Sequence, residues 1–245
     1  HLVTAGVPCQ GFSLSNKKRH KNDERNFLFL EVIKFVNIFN PSVVLIENVS
    51  GMKSLNKGSF VDDISDALKD AGKIGYTVKS ELLNAADYGV PQLRRRLIFV
   101  AVRNDLPKFE FPKAKYGTEE QPYTTIYDAI SDLPELENNE EKIKYTTKVK
   151  TTYQKLMKDG TTILLNHKSP KHPLSTVERI QNTKAGFPMY EKYKQRIRLA
   201  WNIQSPTQMA GGIRPQFQFG HPEQNRGLSI RERARIQSFP DNYNF

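Results

Sequence analysis

Up to Arg103 the apolar positions follow two clear periods. Leu2-Val3-Thr4-Ala5 is a short apolar run that feeds a Gly- and Pro-containing loop, the pattern of a strand entering a turn. From Asn26 to Phe39, Phe29, Val32, Ile33 and Val36 recur on one helical face, and Asn40-Pro41 ends the pattern. Val43-Val44-Leu45-Ile46 is the kind of unbroken run found in a parallel strand buried on both faces, and it ends in Glu47-Asn48. A second helix is predicted over Phe60 to Ala71, with Ile64, Ala67, Leu68 and Ala71 inward and Gly72 as its stop. Tyr76 to Leu83 and Leu97 to Val102 read as strands. This alternation predicts an α/β fold with an open doubly wound sheet. In such sheets the working crevice lies outside the carboxyl ends of the strands, so Cys9 and Glu47, each just past such an end, can converge.

Beyond Arg103 the periodicity breaks down into Pro-, Thr-, Tyr- and Lys-rich texture, which predicts a smaller, irregular second domain. Three regions are expected: a core over residues 1–103, the irregular domain over 104–225, and a returning helical segment over 226–245. Ser229-Ile230-Arg231-Glu232 is a capping box that opens a short helix, and Pro240 must lie beyond its end.

Charge narrows the choice of partner. Lys and Arg number 37 against 26 Asp and Glu, a formal net charge of +11, and this excess favours a polyanion. Between Glu141 and Arg198 there are 14 cationic and 4 acidic residues, interleaved with Tyr145, Tyr153, Phe187, Tyr190 and Tyr193, a mixture suited to phosphate contact and base stacking. The apolar runs stop well short of a membrane span. A single cysteine makes no internal disulfide, and His167 and His172, split by Pro170, lack the spacing of a metal site. Because the chain starts at His1, it is expected to be part of a longer protein.

Cys9, between Pro8 and Gln10 and flanked by Gly6 and Gly11, sits where a loop leaves a strand. A free thiol there is accessible and can be activated by a nearby positive field. With Glu47-Asn48-Val49 at a strand end and Gln92-Leu93-Arg94-Arg95-Arg96 before a strand, the chain resembles the DNA cytosine-5 methyltransferases. That family carries a Pro-Cys-Gln loop, a Glu-Asn-Val strand end and a Gln-x-Arg-x-Arg segment in this order. Asp23 to Leu28 resembles the family's Arg-containing helix start, and Arg226 to Asp241 resembles the late block that supports its recognition domain.

The resemblance implies a partial doubly wound, Rossmann-like methyltransferase sheet with a smaller irregular target-recognition domain. It also implies a methyl group from S-adenosylmethionine placed on carbon 5 of a cytosine in double-stranded DNA, in bacterial restriction-modification. Carbon 5 is a poor nucleophile until a thiolate, here Cys9, adds at carbon 6. Glu47 is then expected to give N3 a proton or hydrogen bond, and Arg94 and Arg96 to hold the base oxygen, the neighbouring carboxylate and backbone phosphates. The buried cytosine must be flipped out. Gln10, Gly11, Phe12 and Ser13 are candidates to close over it, and Arg25, Gln92 and Arg226 are further DNA-binding candidates. Pro8, Leu28 and Asn48 are candidates for the floor of the cofactor site, and no metal is implied.

The chain departs from the family at both ends. It contains no Phe-x-Gly-x-Gly turn and no closing Asn-Ala-Val block, so a missing amino-terminal half or second subunit is expected, leaving this chain inactive alone. Its strand before Cys9 would then be an uncovered apolar edge. A cytoplasmic, nucleoid-associated location follows from the same resemblance. Methylation of structured RNA and a non-catalytic DNA-binding module are the competing readings. A Cys-dependent hydrolase is disfavoured, because no histidine is spaced to activate Cys9.

Overall fold

A computed structural model describes residues 1–7, 28–53, 59–209 and 218–245. Strand β1 (Leu2–Gly6) pairs in parallel with β2 (Val43–Val49), Gly6 lying opposite Glu47. Between them in sequence is helix α1 (Phe29–Phe39), which stops where Asn40 turns left-handed (φ 43°) ahead of Pro41. Helix α2 (Ser59–Lys69), β3 (Tyr76–Asn84), the two-residue β4 (Gln92–Leu93) and β5 (Arg95–Arg103) follow. The four-stranded sheet has the order β1-β2-β5-β3, with β5 antiparallel to both neighbours.

Two units of the chain pack independently: unit 1 is His1–Asn84 with Arg95–Lys113, and unit 2 is Ala85–Arg94 with Ala114–Phe245. The stretch 85–94, inside the expected core range, therefore groups with unit 2, and 104–113 groups with unit 1.

In unit 1, Val44 and Ile46 of β2 and Leu97, Phe99 and Ala101 of β5 share one sheet face. Phe29 and Val36 of α1 and Phe60, Ile64 and Leu68 of α2 bury against that face. The other β2 side chains, Val43, Leu45, Glu47 and Val49, are only half-buried. So β2 alternates instead of being buried on both faces as expected. The apolar run could not show this, because β-branched residues are tolerated on a half-covered face. The α/β class expected from the alternation of elements is observed.

The junction after α2 depends on a glycine. Gly72 has φ +71°, its N–H donates to Asn37 Oδ1 at 2.7 Å, and a Cβ there would lie 2.7 Å from Asn40 Oδ1. Gly72→Ala is expected to cost about 1–2 kcal/mol from the left-handed backbone alone. The urea midpoint of unit 1 reads it, and an unchanged midpoint would contradict this account of the turn.

Unit 2 holds short helices α3 (Ile126–Ile130), α4 (Thr152–Lys158), α5 (Leu174–Gln181) and α6 (Ile230–Ile236), with β6 (Ser205–Pro206) parallel to β4. Three of the helices start with capping boxes: Thr125 with Asp128, Thr151 with Gln154, and the expected Ser229 with Glu232. Ile126, Ala129, Ile130, Leu164, Leu199, Phe219, Leu228 and Ile236 make its core.

A buried ionic lattice surrounds α6. Arg226 clasps Glu232 through two bonds of 2.9 and 2.7 Å, and Arg235 holds Asp241 (2.9 and 2.6 Å) and also Asp132. Burial opposes the charge of Glu232, yet the Arg226 guanidinium holds its carboxyl well below the usual range. For His221, burial outweighs the attraction of Glu232 and pushes the imidazole down to about 4. It is therefore neutral at pH 7 even though its Nε2 lies 3.8 Å from Glu232. Burial likewise lowers His167 and His172.

These shifts fix a pH dependence. Between the unfolded value, about 6.5, and the folded value of each histidine, only the unfolded chain takes up the proton. The stabilisation is thus whole above about pH 6.5 and is lost as pH falls towards the folded values. The unfolding free energy of unit 2 should drop on acidification by at most about 1.4 kcal/mol per pH unit for each histidine in its window. Proton uptake on unfolding at pH 5 and pH 8 measures it: net uptake at pH 5 and near none at pH 8 is the expected result.

Candidate active site

Glu47 lies on the half-covered face of β2, and the cross-strand register places Val49, the next residue along that face, opposite Arg96 of β5. The Arg96 Nε donates to Glu47 Oε1 at 2.6 Å, with side-chain exposures of 21% and 39%. Arg96 also donates from Nη1 to the Arg95 carbonyl at 2.8 Å, which fixes the plane of its guanidinium. An acid and a planar cation are therefore joined at the carboxyl end of β2, beside the point where the chain leaves β1 at Gly6. Pro8, Cys9, Gln10, Gly11, Phe12, Ser13 and Arg25, all expected at the site, lie outside the described residues.

Asn48 points to the opposite, helix-covered face and is 1% exposed. Its Oδ1 accepts the Val49 N–H at 2.8 Å, which orients the amide, while its Nδ2 has no partner among the described residues. A buried donor without an acceptor is costly, about 1–3 kcal/mol, and suits a site completed by an acceptor atom. Leu28 stands at the N-cap of α1 and is 39% exposed.

The remaining expected site residues fall in unit 2. The Arg94 carbonyl accepts the Ala85 N–H at 3.0 Å. Gln92 is 1% exposed, its Oε1 accepting the Gln208 N–H at 3.0 Å and its Nε2 donating to the Ile236 carbonyl. Arg226 is also 1% exposed, and beyond Glu232 it donates to Gln224 and to the carbonyls of Leu136 and Gly227. As placed, Gln92 and Arg226 satisfy interior backbone groups and a carboxylate. Among the described residues no group of three or more His, Cys, Asp or Glu is arranged to hold a metal, and no helix is long and apolar enough to cross a membrane.

A family model described as C-5 cytosine-specific DNA methylase matches residues 1–245. The chain belongs to that family. Among its relatives, the type II methyltransferase M.DdeI of Desulfomicrobium norvegicum is 37% identical over 267 residues, covering 99% of this chain and 63% of that protein. M1.HphI of Haemophilus parahaemolyticus is 32% identical over 257 residues, covering 100% of this chain and 60% of its own length. The chain therefore spans about three-fifths of these two relatives. A solved structure described as a prophage-encoded DNA modification methyltransferase of E. coli superposes with a TM-score of 0.74 at 23% identity, over 100% of this chain and 70% of that one, which shows the shared fold.

For a C-5 cytosine methylase the donor set of unit 1 can be tested against S-adenosylmethionine. That molecule carries hydroxyl, carboxylate and ring-nitrogen acceptors, and the Asn48 Nδ2, without a partner among the described residues, is a buried donor able to meet one of them. The exposed side of Leu28 offers apolar contact of the kind an adenine or ribose takes. These two residues fit the cofactor. The sequence pattern marked both through the family resemblance, but the unpaired amide could be found only from coordinates.

Proposed function

We propose that this chain supplies the nucleophile, the acid and the DNA-contacting region of a DNA cytosine-5 methyltransferase. The observation that carries the reading is the Glu47–Arg96 pair at the strand end next to the origin of the Cys9 loop, in a chain matched by the family over its whole length.

In this reading the Cys9 thiolate adds to carbon 6 of an extruded cytosine, and the electron pair of the 5,6 double bond moves onto carbon 5. Glu47 donates a hydrogen bond or proton at N3, which offsets the negative charge entering the ring. Arg96 orients Glu47, and Arg94 is proposed for the base oxygen or a backbone phosphate. Asn48, Leu28 and Pro8 would hold S-adenosylmethionine, whose methyl group would pass to carbon 5 with S-adenosylhomocysteine as the leaving group. Loss of the carbon 5 proton to a base and expulsion of the thiolate then restore the aromatic ring. Gln10, Gly11, Phe12, Ser13 and Arg25 are proposed to close on the DNA, and the region 104–225 to read it. Full activity is proposed to need polypeptide beyond these 245 residues, because β1 is a sheet edge, Leu2 is 62% exposed, and the relatives are longer. The role fits modification of bacterial DNA in the cytoplasm, at the nucleoid.

The test is product analysis. With an amino-terminal cofactor half from a relative such as M.DdeI added in trans or fused, the protein is incubated with S-adenosylmethionine and either unmethylated duplex DNA or folded RNA. Nucleosides are then resolved by mass spectrometry. The reading predicts 5-methyldeoxycytidine from the duplex. 5-Methylcytidine from RNA alone, or deoxycytidine methylated on its amino group, would contradict it.

A further inference from the structure

We propose that a stacked arginine–tyrosine cluster between α5 and the loop after it is the phosphate anchor of unit 2, gripping the DNA backbone without reading bases. This rests on the methyltransferase reading for its substrate, duplex DNA. Arg196 lies over two rings, its Cζ 4.5 Å from the Tyr193 centroid and 5.7 Å from that of Tyr190, and the Arg179 guanidinium of α5 lies over Tyr190 at 4.5 Å. The two rings meet edge to face at 6.4 Å.

The basic, aromatic-rich stretch separates here into two classes. The Tyr145 hydroxyl donates to buried Asp241, and that of Tyr153 to the Arg235 carbonyl, so both serve the interior. Lys142 and Lys168 pair with Glu140 and Glu141. The segment from Arg179 to Arg196 instead carries Arg179, Lys184, Lys192, Lys194 and Arg196 against the single acid Glu191. Lys192, Tyr193 and Lys194 are exposed.

The cluster stands on a braced base. Buried Arg198 donates to the carbonyls of Ile180, Gln181 and Thr183 at the end of α5 and to that of Glu223. The loop closes on itself through Met189 N–H to Arg196 O (2.8 Å) and Arg198 N–H to Phe187 O (3.0 Å). A guanidinium that lies over an aromatic ring can still bond phosphate oxygens through its N–H groups, which makes such a cluster chemically suited to a DNA backbone. A guanidinium already held in place loses little freedom on binding.

The decisive experiment measures binding of the full-length protein to a cognate duplex and to a scrambled one across a salt series. In the double variant Arg179→Ala/Arg196→Ala, the slope of log K against log salt should fall by about 1 for each arginine, and affinity should drop by the same factor on both duplexes. Arg179→Lys/Arg196→Lys, which keeps the charge, should keep most of the slope. Lys192→Ala/Lys194→Ala alters only exposed side chains and should lower the slope too, which keeps the test valid if the arginine variant unfolds. A wild-type slope in these alanine variants, a loss confined to the cognate duplex, or tighter binding of folded RNA than of either duplex would overturn the anchor. Failure of the methyltransferase reading is separate: it would appear as no covalent adduct in the wild type, whereas failure of the anchor would leave adduct formation intact.

Discussion

Glu47→Gln is expected to slow covalent adduct formation by about 10²–10⁴, the usual weight of a positioned acid or base, with DNA affinity changed less than tenfold. The amide can still accept from Arg96 but can no longer pass a proton to the ring. Arg96 donates to this carboxylate at 2.6 Å, so Arg96→Ala should lose rate through misplacement of Glu47, and the two losses should not add. Single-turnover trapping of a 5-fluorocytosine duplex by both single variants and the double variant measures this. Full additivity, or a Glu47→Gln effect on binding alone, would place Glu47 outside the chemistry.

Asp241→Asn should be the most destabilising conservative change in unit 2. Asp241 is fully buried and accepts from Arg235 (2.9 and 2.6 Å) and from the Tyr145 hydroxyl (2.6 Å), with Arg231 at 3.7 Å. Burial alone would weaken the charge of Arg235, but Asp241 and Asp132 push its guanidinium above its ordinary value. Burial and the bond to Asp241 also raise the Tyr145 hydroxyl. Neutralising residue 241 removes the carboxylate beside Arg231 and leaves the buried Arg235 guanidinium to Asp132, and breaking such a pair costs about 3–5 kcal/mol. Tyr145→Phe removes one bond and should cost about 1 kcal/mol. Urea unfolding followed by Trp201 fluorescence resolves the two. A loss under about 1 kcal/mol for Asp241→Asn would mean that the lattice contributes little.

Much of unit 1 was legible because helices of eleven residues carry a full apolar stripe: both inward faces and both stops, Asn40 and Gly72, were read from the chain. Strand direction was not, since the pattern Leu97–Val102 is the same whichever way β5 runs. Helices α3 and α4, five and seven residues long, give too little period to detect, although the Thr125–Asp128 and Thr151–Gln154 boxes were signals of the kind read correctly at Ser229. At the site, the burial of individual side chains was not legible. Arg226 and Gln92, expected as DNA contacts, are buried in the structure and donate to interior carbonyls and, for Arg226, to Glu232. The meeting of Glu47 with Arg96 came from the family resemblance and became geometry only through the β2–β5 register.

The central claim is that the thiol of residue 9 and the Glu47–Arg96 pair act on one flipped cytosine. The protein, supplied with its cofactor half and S-adenosylmethionine, is incubated with a duplex carrying 5-fluorocytosine, digested, and mapped by peptide mass spectrometry. The account predicts a nucleotide-bearing peptide modified at Cys9, absent from Cys9→Ser and formed far more slowly in Glu47→Gln. A modification on any other residue, or an adduct of undiminished rate in Glu47→Gln, would contradict it.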